Sequence, residues 1–402
     1  KIIDINTRGL LGQRITIKPQ YPGGVVLTGK SILNINGQHT TIANLVFVNG
    51  GVNKAIVMRG PYNRITGFDI SFNSADVEYV VGINNHNNRL DHSIFKDFSR
   101  KGVWLSVNRI TNTPDFALID HNIFRNRSNP KSVLNGMETL RIGSSETSLS
   151  SSKTTVLQNV FEKCNGEVEL ISSKCGENIF YRNTLRNSKG TLSLRHGNGC
   201  VVFRNKFLDQ PSTGGIRVSG EDHKIIENLV QNVTGDSNAR AGVSINNGIV
   251  NSSLSGYVRV NNLVVLRNVF LGNNPDFAMG VQVKTECTLL PINSNIAHNI
   301  IYKTTPYEVF SSNSKCKGYI DFSFTNNTVY ATNLGRMTLQ PGLIVYSPSN
   351  FASDRLCNDE TCYGVSDDVG PQWNVVEPES SELNCTPEEL FNDVSLMILQ
   401  FT

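Results

Sequence analysis

The chain has 402 residues, 39% of them apolar and 18% charged, with a formal net charge of +3. That composition excludes a disordered chain, and no apolar run approaches the roughly 20 residues a transmembrane helix needs. Frequent glycine and conspicuous asparagine favour turns and short strands over helices.

Lys1 opens the chain without a Met or a signal-peptide pattern, as a processed or trimmed chain would. From there a short phrase recurs. Its clear copies contain Asn122, Asn159, Asn183, Asn205, Asn228, Asn268, Asn299 and Asn327, and weaker copies contain Asn44, Asp69 and Ser93. From 159 to 228 the steps are 24, 22 and 23 residues, and elsewhere they stretch to 40. A period in the low twenties, with several short strands per repeat, predicts a solenoid with loops inserted into a fixed coil. Between the phrases lie the alternating strands 102–107, 190–195, 214–219, 242–246 and 280–284. Val, Leu and Ile take one face there, while Trp, Ser, Arg, Gln and Lys take the other, so one side is buried. The predicted fold is all-β: a single-domain right-handed parallel β-helix, its asparagines forming an internal ladder at one corner.

Residues 165–175 read NGEVELISSKC. On a strand Glu167 and Glu169 point outward together, with Val168 and Leu170 inward. Two carboxylates that close repel unless a cation sits between them. One coil earlier stand Asn135, Glu138 and Arg141. An amide oxygen stacked over two carboxylates makes an all-oxygen site for a hard cation, and Ca²⁺ is its natural occupant. The competing structural reading pairs one glutamate with an arginine on the next coil. One coil later Arg195 points outward between inward Leu192 and Leu194, and Arg217 follows on the next coil. Lys174 ends the intervening turn, so these groups gather on one face.

Toward the C-terminus the repeat fades near residue 340. Residues 353–402 hold eleven acids and one base, leaving 36 bases against 23 acids in the remainder. A basic body suits a polyanionic partner. Thr386, Pro387 and Glu389 form a capping-box helix start, and the helix is expected to end near Leu399 and to cover the open end of the solenoid. Of the eight cysteines, Cys175 with Cys200 and Cys287 with Cys316 lie about one coil apart, which predicts two disulfides. Cys357 and Cys362 are placed to close a small loop, leaving Cys164 and Cys385. Sequons at Asn126, Asn232, Asn251, Asn326 and Asn384, with the cysteines, favour an extracellular protein.

The stretches NGMETLRIG, NGEVELISSK, LSLRHG, GGIRVSGEDH and GPQW together resemble the polysaccharide lyase family that contains chondroitinase B and many alginate lyases. The likeness keeps order and spacing from about residue 20 to 373. It implies a parallel β-helix, Asn135, Glu167 and Glu169 as Ca²⁺ ligands, Lys174 as general base and Arg195 as general acid. It also implies Glu138, Arg141, His196 and Arg217 lining a substrate groove. Only 29 residues follow GPQW, so one catalytic domain (1–352) is expected, with 353–402 packing on the solenoid end.

The reaction so implied is β-elimination on a uronic acid. Removing the C5 proton beside a carboxylate builds negative charge, which a divalent cation stabilises. A lysine serves as base once it has lost its proton. A guanidinium is a poor literal acid, ionising above about 12; stabilising the leaving oxygen, or relaying a proton through water or His196, are the alternatives. The expected substrate is alginate, with dermatan sulfate second. A non-catalytic polysaccharide-binding β-helix is the alternative from another class. No nucleic acid or membrane partner is expected, and the chain is expected to be a monomer.

Overall fold

Short strands of Val, Ile and Phe, three to a coil, stack upon one another in this computed structural model. It describes residues 1–48, 51–73, 76–129, 135–235, 240–281, 289–312, 321–335, 341–350 and 386–400. Every third strand pairs in parallel with the one a coil away, giving three sheets of 12, 12 and 13 strands among the described residues. The first sheet runs from Ile2–Ile5 to Phe310–Ser312, the second from Ile15–Ile17 to Phe322–Thr325, and the third from Val26–Thr28 to Leu343–Tyr346. The fold is thus the parallel β-helix expected from the repeat. Its interior is one continuous core in which like side chains stack coil on coil; Phe95, Phe124 and Phe161 follow one another at 4.8 Å between ring centroids. Among the described residues no helix is long and apolar enough to cross a membrane.

The asparagine ladder stands at the corner between the second and third sheets. Each side-chain amide donates to the carbonyl oxygen of the next, from Asn122 through Asn159, Asn183, Asn205, Asn228, Asn268 and Asn299 to Asn327, at 2.9–3.1 Å. Each amide oxygen also accepts the backbone N–H of the preceding asparagine, as Asn205 does from Asn183 at 2.9 Å. Buried polar groups need such partners, and here the repeat supplies them itself. The residue before each rung takes a left-handed conformation, for example His121 at φ 54 and Arg204 at φ 52. Of the weaker copies only Ser93 is a rung, accepting from the backbone of Phe68 at 3.0 Å. Asn44 holds the left-handed position instead (φ 60), and Asp69 opens a strand.

Three further expectations are corrected. Trp104 faces inward, not outward: it is 1% exposed and packs on Phe95, Phe98 and Phe124. Two successive residues of the strand Val103–Val107, Trp104 and Leu105, both reach the core before alternation begins, as Val80 and Val81 do one coil earlier. Cys175 and Cys200 are free buried thiols, as is Cys164. The register pairs Lys174 with His196 and Ile179 with Val201, which sets Cys175 against Gly197 and Cys200 against Asn178. A separation near one coil length in sequence did not bring the two thiols into register. The other proposed cysteine pairings involve residues outside those described.

The C-terminal helix α1 spans Pro387–Leu399 and carries the expected capping box between Thr386 and Glu389. It does not lie on the open end. Phe391, Val394 and Ile398 pack on Leu118, Leu157, Ile179, Tyr181, Phe203 and Ile226, which lie along the outer side of the second sheet in its middle coils. Those side chains form an apolar strip on an outer face, and covering it removes it from water. The boundary near residue 352 falls where 351–385 lie outside the described residues.

Candidate active site

The outer face of the first sheet carries the chemistry. Its register aligns Ser106, Arg141, Ser172, Ser193, Arg217 and Ser244 in one column, with neighbours about 4.8 Å apart. Small serines between the two arginines leave room above the sheet. The strands Glu169–Lys174 and Thr191–His196 pair with two irregularities, one between Glu169 and Ile171 and one between Ser173 and Lys174. The second opposes Lys174 to His196 and leaves Arg195 as the extra residue. Bulges of this kind re-aim side chains, and here they bring Lys174, Arg195 and His196 to one spot.

Glu167 lies in the bend just before the strand that begins at Glu169, and Val168 is only half-buried, so simple alternation does not describe this stretch. The two carboxylates nonetheless face one cluster. Glu167 accepts the Met137 backbone N–H at 2.7 Å. Glu169 accepts from the Ser172 hydroxyl at 2.6 Å and from Arg217 at 3.3 Å, with Arg195 Nε at 3.7 Å. The pairing with arginines on later coils that the sequence left open is therefore present. Glu138 is 1% exposed and bonds Lys174 Nζ at 3.0 Å, while its Oε2 has no partner. Burial favours its neutral form, but Lys174 and then Arg141 hold it below the usual carboxylate range. Glu167 is driven the other way, to about 7, by burial and by the charges of Glu138 and Glu169.

His196 is 3% exposed. Burial, with Arg195 and Lys174 close by, pushes it down to about 3, so the ring is neutral at any ordinary pH. Its Nε2 lies 3.3 Å from the Ser145 hydroxyl. Arg195 donates to the carbonyls of Gly256 at 2.7 Å and Ser255 at 3.0 Å, and its guanidinium lies 3.8 Å from the centre of the Tyr257 ring. Arg217 reaches the Tyr257 hydroxyl at 3.1 Å. Arg141 bonds Ser106 at 3.3 Å, and its Nε has no partner. Asn135 is exposed, two residues before Met137, whose N–H Glu167 accepts.

Beneath the carboxylates lies a group that sequence reasoning missed. Arg127 is wholly buried, stacked on Phe98 and Trp104 at 5.0 and 5.1 Å, and donates to the Gly102 carbonyl. A Cβ on Gly166 would fall 2.4 Å from Arg127 Nε, so only glycine lets the chain cross this guanidinium on its way to Glu167. Tyr257 was also missed. The long step from 228 to 268 signalled a loop, but nothing in its composition singled out the residue that turns back onto the arginines.

The donor set suits a hard cation. Among the described residues no three His, Cys, Asp or Glu side chains already converge as a metal cage. Glu138, Glu167 and Glu169 are nonetheless crowded, with Glu167 raised and one Glu138 oxygen unpartnered, and a divalent ion would find oxygen donors there. Asn135, Glu167 and Glu169 are the residues that would hold it.

Solved polysaccharide lyases of family 6 share this parallel β-helix. The sequence profile described as Chondroitinase B matches residues 2–354, and the chain belongs to that family. Among solved structures, the family 6 alginate lyase AlyGC is 30% identical with a TM-score of 0.81, over 94% of this chain and 55% of that one. The chain thus spans about half the length of AlyGC. A mannuronic acid specific family 6 lyase from human gut microbiota is 25% identical with a TM-score of 0.80, over 98% of this chain and 91% of that one. The family 6 lyase Pedsa3628 from Pseudopedobacter saltans shares the fold at 20% identity and a TM-score of 0.72, over 93% of this chain and 92% of that one. No curated protein matches the chain by sequence.

Proposed function

We propose that the protein cleaves alginate by β-elimination, leaving a 4,5-unsaturated uronate on each new non-reducing end. The observation that carries this reading is the placement of Lys174 Nζ 3.0 Å from Glu138, on the same face as Glu167, Glu169 and Arg195. It brings a base, a crowded carboxylate set and a guanidinium to one cleft.

Arg141, Arg217 and His196 line that cleft and would orient the uronate, the two arginines offering bidentate partners for its carboxylate. Lys174 takes the C5 proton. Arg195 would stabilise the negative charge that develops on the leaving O4. A Ca²⁺ ion held by Asn135, Glu167 and Glu169 would supply neutralisation of the substrate carboxylate. An extracellular setting belongs to the same proposal; the sequon residues Asn126, Asn232, Asn251 and Asn326 are all exposed.

The test is ultraviolet absorbance of the unsaturated product, followed on mannuronate and guluronate blocks and on dermatan sulfate, with and without chelator. Chelator-sensitive signal on alginate is expected. Signal confined to dermatan sulfate would reassign the substrate. Binding without cleavage would make the chain a polysaccharide-binding β-helix.

A further inference from the structure

Arg127 is a buried cation that the mechanism above does not use. Its register partners on the coils to either side are Phe98 and Cys164, both uncharged. An apolar side chain would fill this core position without the cost of stripping a charge of its water. The guanidinium is wholly buried and stacked on Phe98 and Trp104, and its Nε and Nη1 have no hydrogen-bond partner among the described residues. Burial brings its pKa down to about 10, against the pull of Cys164, Glu138 and Glu167, so the group stays protonated at neutral pH.

What it touches is the backbone that carries the candidate cation ligands. Three successive residues of one turn are held there. The Asn165 N–H donates to the Arg127 carbonyl at 2.7 Å. Gly166 lies against the guanidinium, where a Cβ would collide with Nε, with Cδ and with the Met137 carbonyl. Glu167 accepts the Met137 N–H at 2.7 Å. The other limb is reached through Gly102: Arg127 Nη2 donates to the Gly102 carbonyl, and the Gly102 N–H donates to the Gly136 carbonyl at 3.0 Å. Gly136 stands between Asn135 and Met137. One guanidinium thus braces both stretches that bear Asn135 and Glu167.

We propose that Arg127 is a positioning residue for the divalent-cation site, fixing from the core side the turns that present Asn135 and Glu167. The inference rests on the calcium site proposed above. A positive charge by itself repels a cation. The guanidinium, however, lies on the core side of the turn, against Phe98 and Trp104, and holds that turn by direct contact. Bracing outweighs repulsion, so removing the group weakens binding.

The experiment titrates calcium chloride into the full chain by calorimetry, with calcium-dependent activity on alginate as a second readout. Arg127→Met fills the space without the planar group or the charge. It is expected to bind calcium about 10–100-fold more weakly than wild type, and the calcium concentration giving half-maximal activity should rise by the same factor. Arg127→Lys, which restores the charge, should bind between the two. Should Arg127→Met fail to fold, Gly166→Ala supplies the test. It keeps Arg127 but forces the turn off it, and should weaken calcium binding about tenfold or more. Calcium affinity in either variant within about threefold of wild type, or tighter, would overturn the assignment, even where activity or the urea midpoint had fallen. A wild type that binds no calcium would overturn the metal reading and the assignment with it, whereas wild-type binding matched by the variants would overturn the assignment alone.

Discussion

The asparagine corner and the outer face of the first sheet are built on the same coils and solve opposite problems. At the corner every rung finds its partners: Asn205 alone makes five side-chain hydrogen bonds, two accepted from Asn183 and three donated to Phe180, Phe203 and Asn228. Across the sheet, Glu138 Oε2 and Arg141 Nε lack partners and Glu167 is pushed up to about 7. One region is satisfied and sets stability. The other leaves buried polar atoms without partners and a carboxyl pushed up, as functional sites do. Damage to the two should therefore separate cleanly.

The largest effect is expected at Lys174. Truncating it would also strand the buried Glu138 carboxylate, mixing stability with chemistry. Lys174→Arg keeps that ion pair but removes a titratable base. It should lower kcat by about 10²–10⁴-fold while the urea midpoint stays within the equivalent of about 1 kcal/mol. Activity comparable to wild type would remove Lys174 from the chemistry.

Asn205→Ala is the converse. Orphaning buried partners on two neighbouring coils should cost at least ~3 kcal/mol in urea unfolding, with kcat on the folded protein unchanged. A loss under ~1 kcal/mol would mean the ladder is ornamental.

A titration sharpens the contrast at the other edge of the second sheet. His223 accepts the Cys200 N–H at Nδ1 (3.1 Å) and donates from Nε2 to the Ser219 carbonyl (3.0 Å), so only the neutral ring fits. Burial lowers it from 6.5 to about 4. Because the folded value lies below the unfolded one, its contribution is complete above pH 6.5 and is lost as pH falls from 6.5 toward 4. The expected loss over that window is ~3 kcal/mol, absent from His223→Asn. An identical pH slope in both proteins would contradict this. Smallest is Thr386→Ala, which should destabilise helix α1 by about 1 kcal/mol, read by hydrogen exchange in Phe391–Ile398, without touching activity.

The regular parts of the molecule were legible because periodicity writes them directly. Each rung asparagine repeats at the coil length, and the capping box of α1 is local. That Glu138, Glu169, Lys174, Arg195 and Arg217 gather on one face was legible, but their geometry was not. Glu167 sits off the strand and Arg195 occupies a bulge, and neither irregularity has a sequence signature, since both arise from how unequal coils stack. The same dependence on register misled the cysteine reading, where Gly197 and not Cys200 faces Cys175. The docking of α1 on the flank depended on apolar residues of five separate strands whose outward direction only the assembled sheet reveals. Tyr257 lay within a loop, where spacing carries no information about direction.

The central claim is that a bond breaks by elimination and not by addition of water. Digesting alginate with this protein in oxygen-18-labelled water and weighing the oligosaccharides by mass spectrometry tests it most directly. The account predicts products that carry no labelled oxygen from cleavage and end in an unsaturated uronate. Products bearing the label at the new ends, with saturated sugars on both sides, would contradict it.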